Sequence, residues 1–323
     1  MQNSTRPVMP LKQYLVTVIA AVCMLPLSAS AVGFTKIYNS ASFSWLDQYS
    51  LTNAINGNIA SQACVPTSSV NALTYLQNSS LAYFGTNLTG TDYASWTQAG
   101  YTLSAPDYLN TMPGEKGGTM LDHLPYALNK YITTTKGFSN VVFSGMVATN
   151  NGWTDPFNKP EYILAENPTT TFLTNALFLN QAILFSNEYA AGGGHEMTAG
   201  GLEWNDLNNN GIMDKTDGAK LFILDPLDPS INYSPAVPTG SAKYTEGHIW
   251  YDSGTSKLML DYPQYTGGLP YVSGSSPVTN SFIDAIITIA VPEPSTYALL
   301  VLSGAGFAYV LRRRASKQVS RLR

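Results

Sequence analysis

The chain contains 323 residues, of which 44% are hydrophobic and 12% are charged, and its formal net charge at pH 7 is −4. This mild charge, with the densest basic cluster at the C-terminus, gives no electrostatic basis for a DNA or RNA partner. The length between the two termini is enough for one sizeable domain, or for a domain with a small β module.

The N-terminus has the pattern of a secretory signal peptide over residues 1–31. Basic residues precede an apolar run at 14–27, and small residues follow it and supply a cleavage site after Ala31. An uncleaved anchor helix is the alternative. Cleavage would remove Cys23 and leave Cys64 as the single cysteine of the exported protein, so Cys64 cannot form an internal disulfide.

Cys64 lies at the start of a predicted helix. Pro66 suits the first helical turn, where its missing N–H group is not needed, and Val70, Leu73 and Leu76 recur at helical spacing. The helix dipole and the unpaired N–H groups at a helix N-terminus favour the thiolate form of a cysteine. Cys64 is therefore a candidate nucleophile, and the alternative is a small buried core residue.

The rest of the chain predicts further helices and strands in order. Helices are expected at 121–131, with Thr119 as N-cap, and at 170–180, while 78–106 has the composition of a loop. Strands are expected at 141–143, 182–185, 195–204, 220–224, 248–251, 257–260 and 282–290, and 34–38 and 43–46 are each strand or loop.

Three residues have the order and spacing of a cysteine peptidase site. His195 follows Cys64 by 131 residues, within the roughly 130–150 residues that separate these two groups in one class of cysteine peptidase. His195 begins one predicted strand, and Asp225 ends the next one at Pro226, so antiparallel pairing would bring them together. We expect Cys64 to attack a carbonyl, His195 to transfer the proton and Asp225 to orient His195, with Asp228 as the alternative third residue.

Residues 64–68, the Gly-Gly-His at 193–195 and Asp225-Pro226 together resemble the papain-like cysteine peptidases, in particular the bacteriocin-leader-processing ("double-glycine") peptidases. The resemblance covers about residues 62–226. It implies an α+β fold over residues 32–290, in which an N-terminal nucleophile helix packs on an antiparallel sheet. The signal peptide and a short C-terminal transmembrane helix would lie outside this fold.

The sequence departs from that family at three positions. Val65 replaces the usual glycine after the nucleophile, Glu196 replaces the usual apolar residue after the histidine, and Asn58 stands where an oxyanion-binding glutamine is expected. Gln62 is the nearest glutamine. We expect the backbone N–H of Cys64, with Asn58 or Gln62, to bind the oxyanion.

The segment between the His195 and Asp225 strands fits a twelve-residue calcium loop at 206–217, with Gly211 at the sharp turn. Its expected ligands are Asp206, Asn208, Asn210, the carbonyl of Ile212, Asp214 and Asp217. The loop resembles dockerin-type loops, and the alternative is an Asn/Asp-rich hairpin turn. A bound Ca²⁺ would hold the hairpin that presents His195 and Asp225.

The C-terminus carries a sorting signal at 291–314, followed by a basic tail at 315–323. A proline-glutamate-proline motif precedes an uncharged apolar stretch at 297–311 and three arginines at 312–314. This order resembles the PEP-CTERM sorting tail. The resemblance implies a transient hold in the inner membrane, processing by exosortase-type machinery, and a final place in the cell envelope or outside the cell. An ordinary membrane anchor is the alternative.

The sequence therefore predicts an exported cysteine peptidase that acts on peptide or amide bonds and is stabilised by Ca²⁺. The alternative is a non-catalytic envelope or matrix protein of the same fold that binds polysaccharide or protein. A third possibility is a calcium-dependent adhesion module, in which Cys64 and His195 would lie far apart.

Overall fold

The computed structural model describes residues 33–44, 46–51, 62–112, 118–119, 121–148, 162–189, 193–227, 244–265 and 275–291. The predicted signal peptide and the apolar stretch of the sorting signal lie outside these residues.

Nine strands in the described ranges form one sheet. They are β1 (Phe34–Ile37), β2 (Val142–Val147), β3 (Ile163–Leu164), β4 (Ala182–Glu188), β5 (Gly194–Trp204), β6 (Lys220–Leu224), β7 (Thr245–Asp252), β8 (Lys257–Tyr265) and β9 (Ser275–Ala290). The sequence predicts seven of them as strands and leaves β1 as strand or loop. It does not predict β3, which has only two residues and gives no periodic pattern.

Six of these strands close into an antiparallel barrel. Strands β5, β6, β7, β8 and β9 pair in succession, and β4 pairs with both β5 and β9 and completes the ring. Ile183, Leu184 and Phe185 in β4 are each at most 1% exposed, so this strand is buried on both faces. Burial on both faces explains why β4 is a continuous apolar run without alternation.

The predicted papain-like α+β fold, with a nucleophile helix packed on an antiparallel sheet, is therefore wrong. Its strands are present, but the sheet closes on itself. The closing contact is the antiparallel pairing of β4 with β9, from Ala182 opposite Ile289 to Glu188 opposite Phe282. Strand β1 extends the sheet from β5, and β2 and β3 extend it from β9. Local periodicity carries no information about a pairing between residues so far apart in the chain.

A bulge in β5 lets this strand pair with two neighbours along one edge. Its first half pairs with β4 and its second half with β1, and the register with β6 shifts between Ala199 and Gly201. Gly200 lies at the shift, where a Cβ atom would stand 2.0 Å from the Tyr244 ring. Only glycine therefore fits there without displacing Tyr244.

Five α-helices occur in the described ranges: α1 (Cys64–Ser79), α2 (Leu81–Phe84), α3 (Tyr93–Ser104), α4 (His123–Lys130) and α5 (Thr170–Phe178). Helices α1, α4 and α5 lie where the sequence predicts helices. The prediction of a loop over 78–106 is wrong, because Asp92 accepts a hydrogen bond from the N–H of Ser95 at 2.8 Å and caps α3.

Helix α1 is almost entirely buried, including its polar side chains. The Ser68 hydroxyl donates to the Glu196 carbonyl at 2.8 Å, and Thr198 donates back to the Ser68 carbonyl at 2.9 Å, which ties α1 to β5. Gln77 accepts from the N–H groups of Leu88 and Thr89 at 3.0 and 2.9 Å. These polar residues fix the position of the helix that begins at Cys64, because buried polar groups are stable only when they are paired.

Candidate active site

Cys64 is the first residue of α1 and is partly exposed. The helix begins there because Ala63 adopts a non-helical conformation and its carbonyl accepts from the N–H of Thr67 at 3.1 Å. The backbone N–H groups of Val65 and Glu196 both reach the thiol. The sulfur thus lies at the positive end of the helix, between α1 and the beginning of β5.

His195 and Asp225 come together because β5 and β6 are antiparallel. His195 is the second residue of β5, and Asp225 directly follows β6. The His195 Nε2 atom is 2.7 Å from Asp225 Oδ1, and the two side chains are 5% and 1% exposed. Asp225 Oδ1 also accepts from the N–H of Leu227 at 2.8 Å, which fixes the carboxylate.

The His195 side chain also interacts with the Cys64 thiol, because each of these groups shifts the pKa of the other. Because Asp225 engages Nε2, the other ring nitrogen, Nδ1, is left for the sulfur. Cys64, His195 and Asp225, which the sequence singles out as one site, therefore lie in one row, in which His195 and Asp225 are hydrogen-bonded. The adhesion module with Cys64 and His195 far apart does not agree with this contact.

The electrostatics of this row favour charge separation. Burial raises the pKa of the Cys64 thiol, but the hydrogen bond and charge of His195, with the two backbone N–H groups, outweigh burial and lower it. Burial lowers the pKa of His195, but the Asp225 carboxylate and Cys64 outweigh it and raise the pKa well above its ordinary value. Both shifts favour a thiolate beside an imidazolium.

Glu196, which the sequence marks as a departure from the family pattern, is buried close to the thiol at 2% exposure. Burial raises its pKa well above the ordinary value, and the nearby Cys64 and Asp284 raise it further. A raised pKa lessens the negative charge that Glu196 carries near neutral pH, so Glu196 opposes formation of the thiolate less than an ordinary glutamate would.

The sequence did not reveal the polar residues that surround His195. Asn187 pairs with His195 across β4 and β5, Tyr189 follows two residues later, and Tyr262 of β8 reaches the same place. The hydroxyls of Tyr189 and Tyr262 are 3.3 Å apart. An asparagine at the end of the apolar run of β4 is the signal that could have identified this group, because such a position is normally apolar.

The structure describes only some of the residues that the sequence predicts to bind the oxyanion. Asn58 and the alternative third residue Asp228 lie outside the described residues. Gln62 is described, and its side-chain oxygen lies 3.3 Å from the position that a Cβ atom on Gly118 would occupy. The roles of Asn58, Gln62 and the N–H of Cys64 in binding an oxyanion stay predictions.

The predicted calcium loop joins β5 to β6, as expected from the sequence. Asp206 accepts from the N–H groups of Asn210 and Gly211 at 3.0 and 2.8 Å, which folds the loop around this carboxylate. Asp217 accepts from the Trp204 ring at 3.0 Å and anchors the end of the loop to β5. Hydrogen bonds from the Thr216 hydroxyl and the Asn208 amide lower the pKa of Asp214 to about 2.

Within the described part of the chain, no three His, Cys, Asp or Glu side chains form a cluster suited to a metal ion. Three of the six predicted calcium ligands, Asp206, Asp214 and Asp217, are carboxylates and do not form such a cluster. Calcium binding by this loop stays a prediction.

Of three comparisons with known proteins, one finds a match, and it identifies the C-terminus. Residues 290–314 match the PEP-CTERM protein-sorting motif. The motif indicates an exported protein that is held at the membrane by its C-terminus before exosortase-type processing. No curated protein and no solved structure matches the chain. Among the helices that the structure describes, none is long and apolar enough to cross a membrane.

Proposed function

We propose that this exported protein is a hydrolase that cleaves peptide or amide bonds with Cys64 as its nucleophile. The observation that carries the proposal is the position of His195, which bonds Asp225 through Nε2 at 2.7 Å and lies close enough to the Cys64 thiol for the two groups to shift each other's pKa. A nucleophile, a base and a group that orients the base are the three parts that covalent catalysis by a cysteine needs. The proposal rests on this contact and not on a family fold.

The reaction follows from the charges in the row. The Cys64 thiolate attacks the carbonyl carbon of the scissile bond, and the C=O electrons move to the oxygen. When the carbonyl re-forms, the C–N bond breaks, and the His195 imidazolium gives its proton to the leaving amine. Water then attacks the thioester while His195 takes a proton from it, and the C–S bond breaks to release the acid and restore the thiolate.

Chemical labelling and peptide cleavage test this proposal on the full chain. We expect iodoacetamide to modify Cys64 at pH 5.5, where an ordinary thiol with a pKa near about 8.5 is almost unreactive. We also expect cleavage of a fluorogenic peptide-amide library, and expect Cys64→Ser to abolish both signals. Modification only near pH 8.5, with no cleavage of any peptide, would overturn the proposal.

A second function, the binding of polysaccharide or protein without catalysis, is favoured by a pocket that Cys64, His195 and Asp225 do not line. The pocket has a volume of about 360 Å³ and is rich in hydroxyl and amide groups. Its lining includes Thr86, Asn87, Thr89, Ser95, Gln98 and Lys136. Hydroxyl and amide groups set among apolar atoms in a pocket of this size suit a sugar or a polar side chain. Retention of ligand binding by the Cys64→Ser variant, with no peptide cleavage by the unaltered chain, would support this function.

We also propose that the 206–217 loop binds Ca²⁺ and stabilises the hairpin that presents His195 and Asp225. The support is its oxygen-rich sequence and its fold around Asp206, together with the Asp214 carboxylate, which stays charged over a wide pH range. Calcium prefers six to eight oxygen ligands, and this loop offers six.

A melting experiment tests the calcium site. Ca²⁺ at about a hundred times its dissociation constant should stabilise the fold by about 2.7 kcal/mol, which raises Tm by about 5–10 °C for a domain of this size. Asp214→Asn should reduce this rise. Asp252→Asn is the matched control, because Asp252 also caps a turn, accepting from the N–H of Gly254 at 3.0 Å, but lies outside the loop. The same Tm with Ca²⁺ and with EDTA would contradict the proposal.

A further inference from the structure

The side chain of Asn187 is completely buried beside His195. Asn187 is 0% exposed and pairs directly with His195 across β4 and β5. Directly paired residues on neighbouring strands point to the same face of a sheet, with Cβ atoms about 5 Å apart. Neither polar atom of the Asn187 amide makes a hydrogen bond of normal geometry to the described residues. A buried amide in this state destabilises a fold, so an apolar residue would be more stable there.

Asp225 also has a buried oxygen that makes no hydrogen bond to the described residues. Its Oδ1 atom accepts from His195 and from the N–H of Leu227, but Oδ2 is buried and has no hydrogen-bond partner among the described residues. A carboxylate that stabilises an imidazolium must itself be held in its charged form. Two hydrogen bonds on one oxygen leave the second oxygen without solvation.

Tyr262 connects these two groups. It is 2% exposed, and its hydroxyl lies 3.3 Å from the hydroxyl of Tyr189. Burial raises the pKa of Tyr262, the neighbouring Tyr189 and Asp225 raise it further, and the adjacent Asn187 amide lowers it. The Tyr262 hydroxyl therefore lies beside the Asn187 amide and feels the charge of Asp225, and it stays protonated and remains a donor at neutral pH.

We propose that Asn187 and Tyr262 are positioning residues that complete the solvation of Asp225 Oδ2 and so hold the carboxylate in place for His195. This inference rests on the proposed hydrolase function. A buried water bridging Asp225 Oδ2, one polar atom of the Asn187 amide and the Tyr262 hydroxyl would solvate the carboxylate oxygen, because a buried water makes two to four hydrogen bonds. This role explains why a buried amide lies beside His195, since the packing of the sheet alone would favour an apolar side chain.

This positioning role affects how readily the Cys64 thiolate forms. Removing the polar atoms of Asn187 or Tyr262 leaves Asp225 Oδ2 buried without a partner, so the carboxylate supports the imidazolium less well. A less stable His195 imidazolium in turn stabilises the Cys64 thiolate less. We expect the effect in the protonation of Cys64, even though neither residue is placed on the reacting bond.

The test is the pH midpoint of Cys64 alkylation by iodoacetamide in the full chain. Asn187→Leu, of similar size, should raise the midpoint by about one pH unit, a tenfold change in thiol ionisation. Tyr262→Phe keeps the ring and should raise the midpoint in the same direction, which retains a test if Asn187→Leu folds poorly. Thr288→Val is the matched control, because Thr288 is a buried polar residue of β9 (1% exposed) that donates to the Ser144 carbonyl at 3.3 Å.

The outcomes separate this inference from the proposed function. An acidic midpoint in the unaltered chain, raised by Asn187→Leu and Tyr262→Phe but not by Thr288→Val, supports both. An acidic midpoint that neither variant raises overturns the positioning role and leaves the proposed function standing. A midpoint near about 8.5 in the unaltered chain overturns the proposed function, and the inference with it.

Discussion

Replacing His195 with alanine is expected to move the pH midpoint of Cys64 alkylation from acid pH to about 8.5, the value of an ordinary thiol. In the unaltered chain the thiolate and imidazolium coexist between the lowered pKa of Cys64 and the raised pKa of His195. The variant has no imidazolium, and burial alone favours the neutral thiol. Peptide cleavage should fall by about 10²–10⁴-fold, because the leaving amine also loses its proton donor.

The midpoint is a better measurement than the rate at one pH, because the intrinsic nucleophilicity of a thiolate falls as its pKa falls. His123→Ala is the matched control. His123 lies in α4 with its side chain 20% exposed, and its Nε2 atom is 4.0 Å from Asp122. It should leave the midpoint unchanged. If His195→Ala kept the midpoint of the unaltered chain, His195 would have no role in forming the thiolate.

Replacing Phe43 with alanine is expected to lower the free energy of unfolding by about 3–5 kcal/mol, the range for truncation of a buried phenylalanine. Phe43 is 2% exposed, and its ring lies 4.8 Å from that of Tyr75 and 6.3 Å from that of Tyr38. Tyr75 belongs to α1, and Tyr38 directly follows β1. The stack therefore joins the helix that carries Cys64 to one end of the sheet, and the change would leave a cavity between them.

Urea unfolding followed by circular dichroism measures this loss. Phe178→Ala is the matched control, because Phe178 ends α5 and is 58% exposed. A surface change of this kind usually stays within about 0.5 kcal/mol. Equal effects of the two substitutions would contradict the assignment of Phe43 to the core.

The sequence predicts the local elements well and their arrangement poorly. The run Lys220–Leu224 is predicted as a strand with the same bounds as β6, because its apolar residues and the following Asp225-Pro226 mark both ends. Helix α3 is missed, because Gly100 and its polar residues resemble a loop; the glycine fits there since a Cβ atom would lie 2.8 Å from Leu51. Such close approaches exist only after the chain has folded.

In the candidate site, too, the sequence predicts local positions but not the contacts between distant strands. The positions of Cys64 at a helix start, His195 at a strand start and Asp225 at a strand end follow from local patterns, and one antiparallel pairing is enough to join the last two. Asn187 and Tyr262 could not be predicted. They come close because β4 and β8 both pair with β9. The residue pattern within β4 or β8 does not indicate that the two strands share this neighbour.

The last described strand also sets the order of events during export. Strand β9 pairs with β2, β4 and β8, and it ends at Ala290, the residue where the PEP-CTERM sorting motif begins. A chain made from its N-terminus onward therefore produces the strand that closes the barrel after all of that strand's partners. Each extended residue spans at most about 3.6 Å, so the residues at 291–296 separate the end of β9 from the apolar stretch at 297–311 by at most about 25 Å. A chain held at the membrane by its C-terminus therefore keeps the strand that completes the barrel close to the membrane surface.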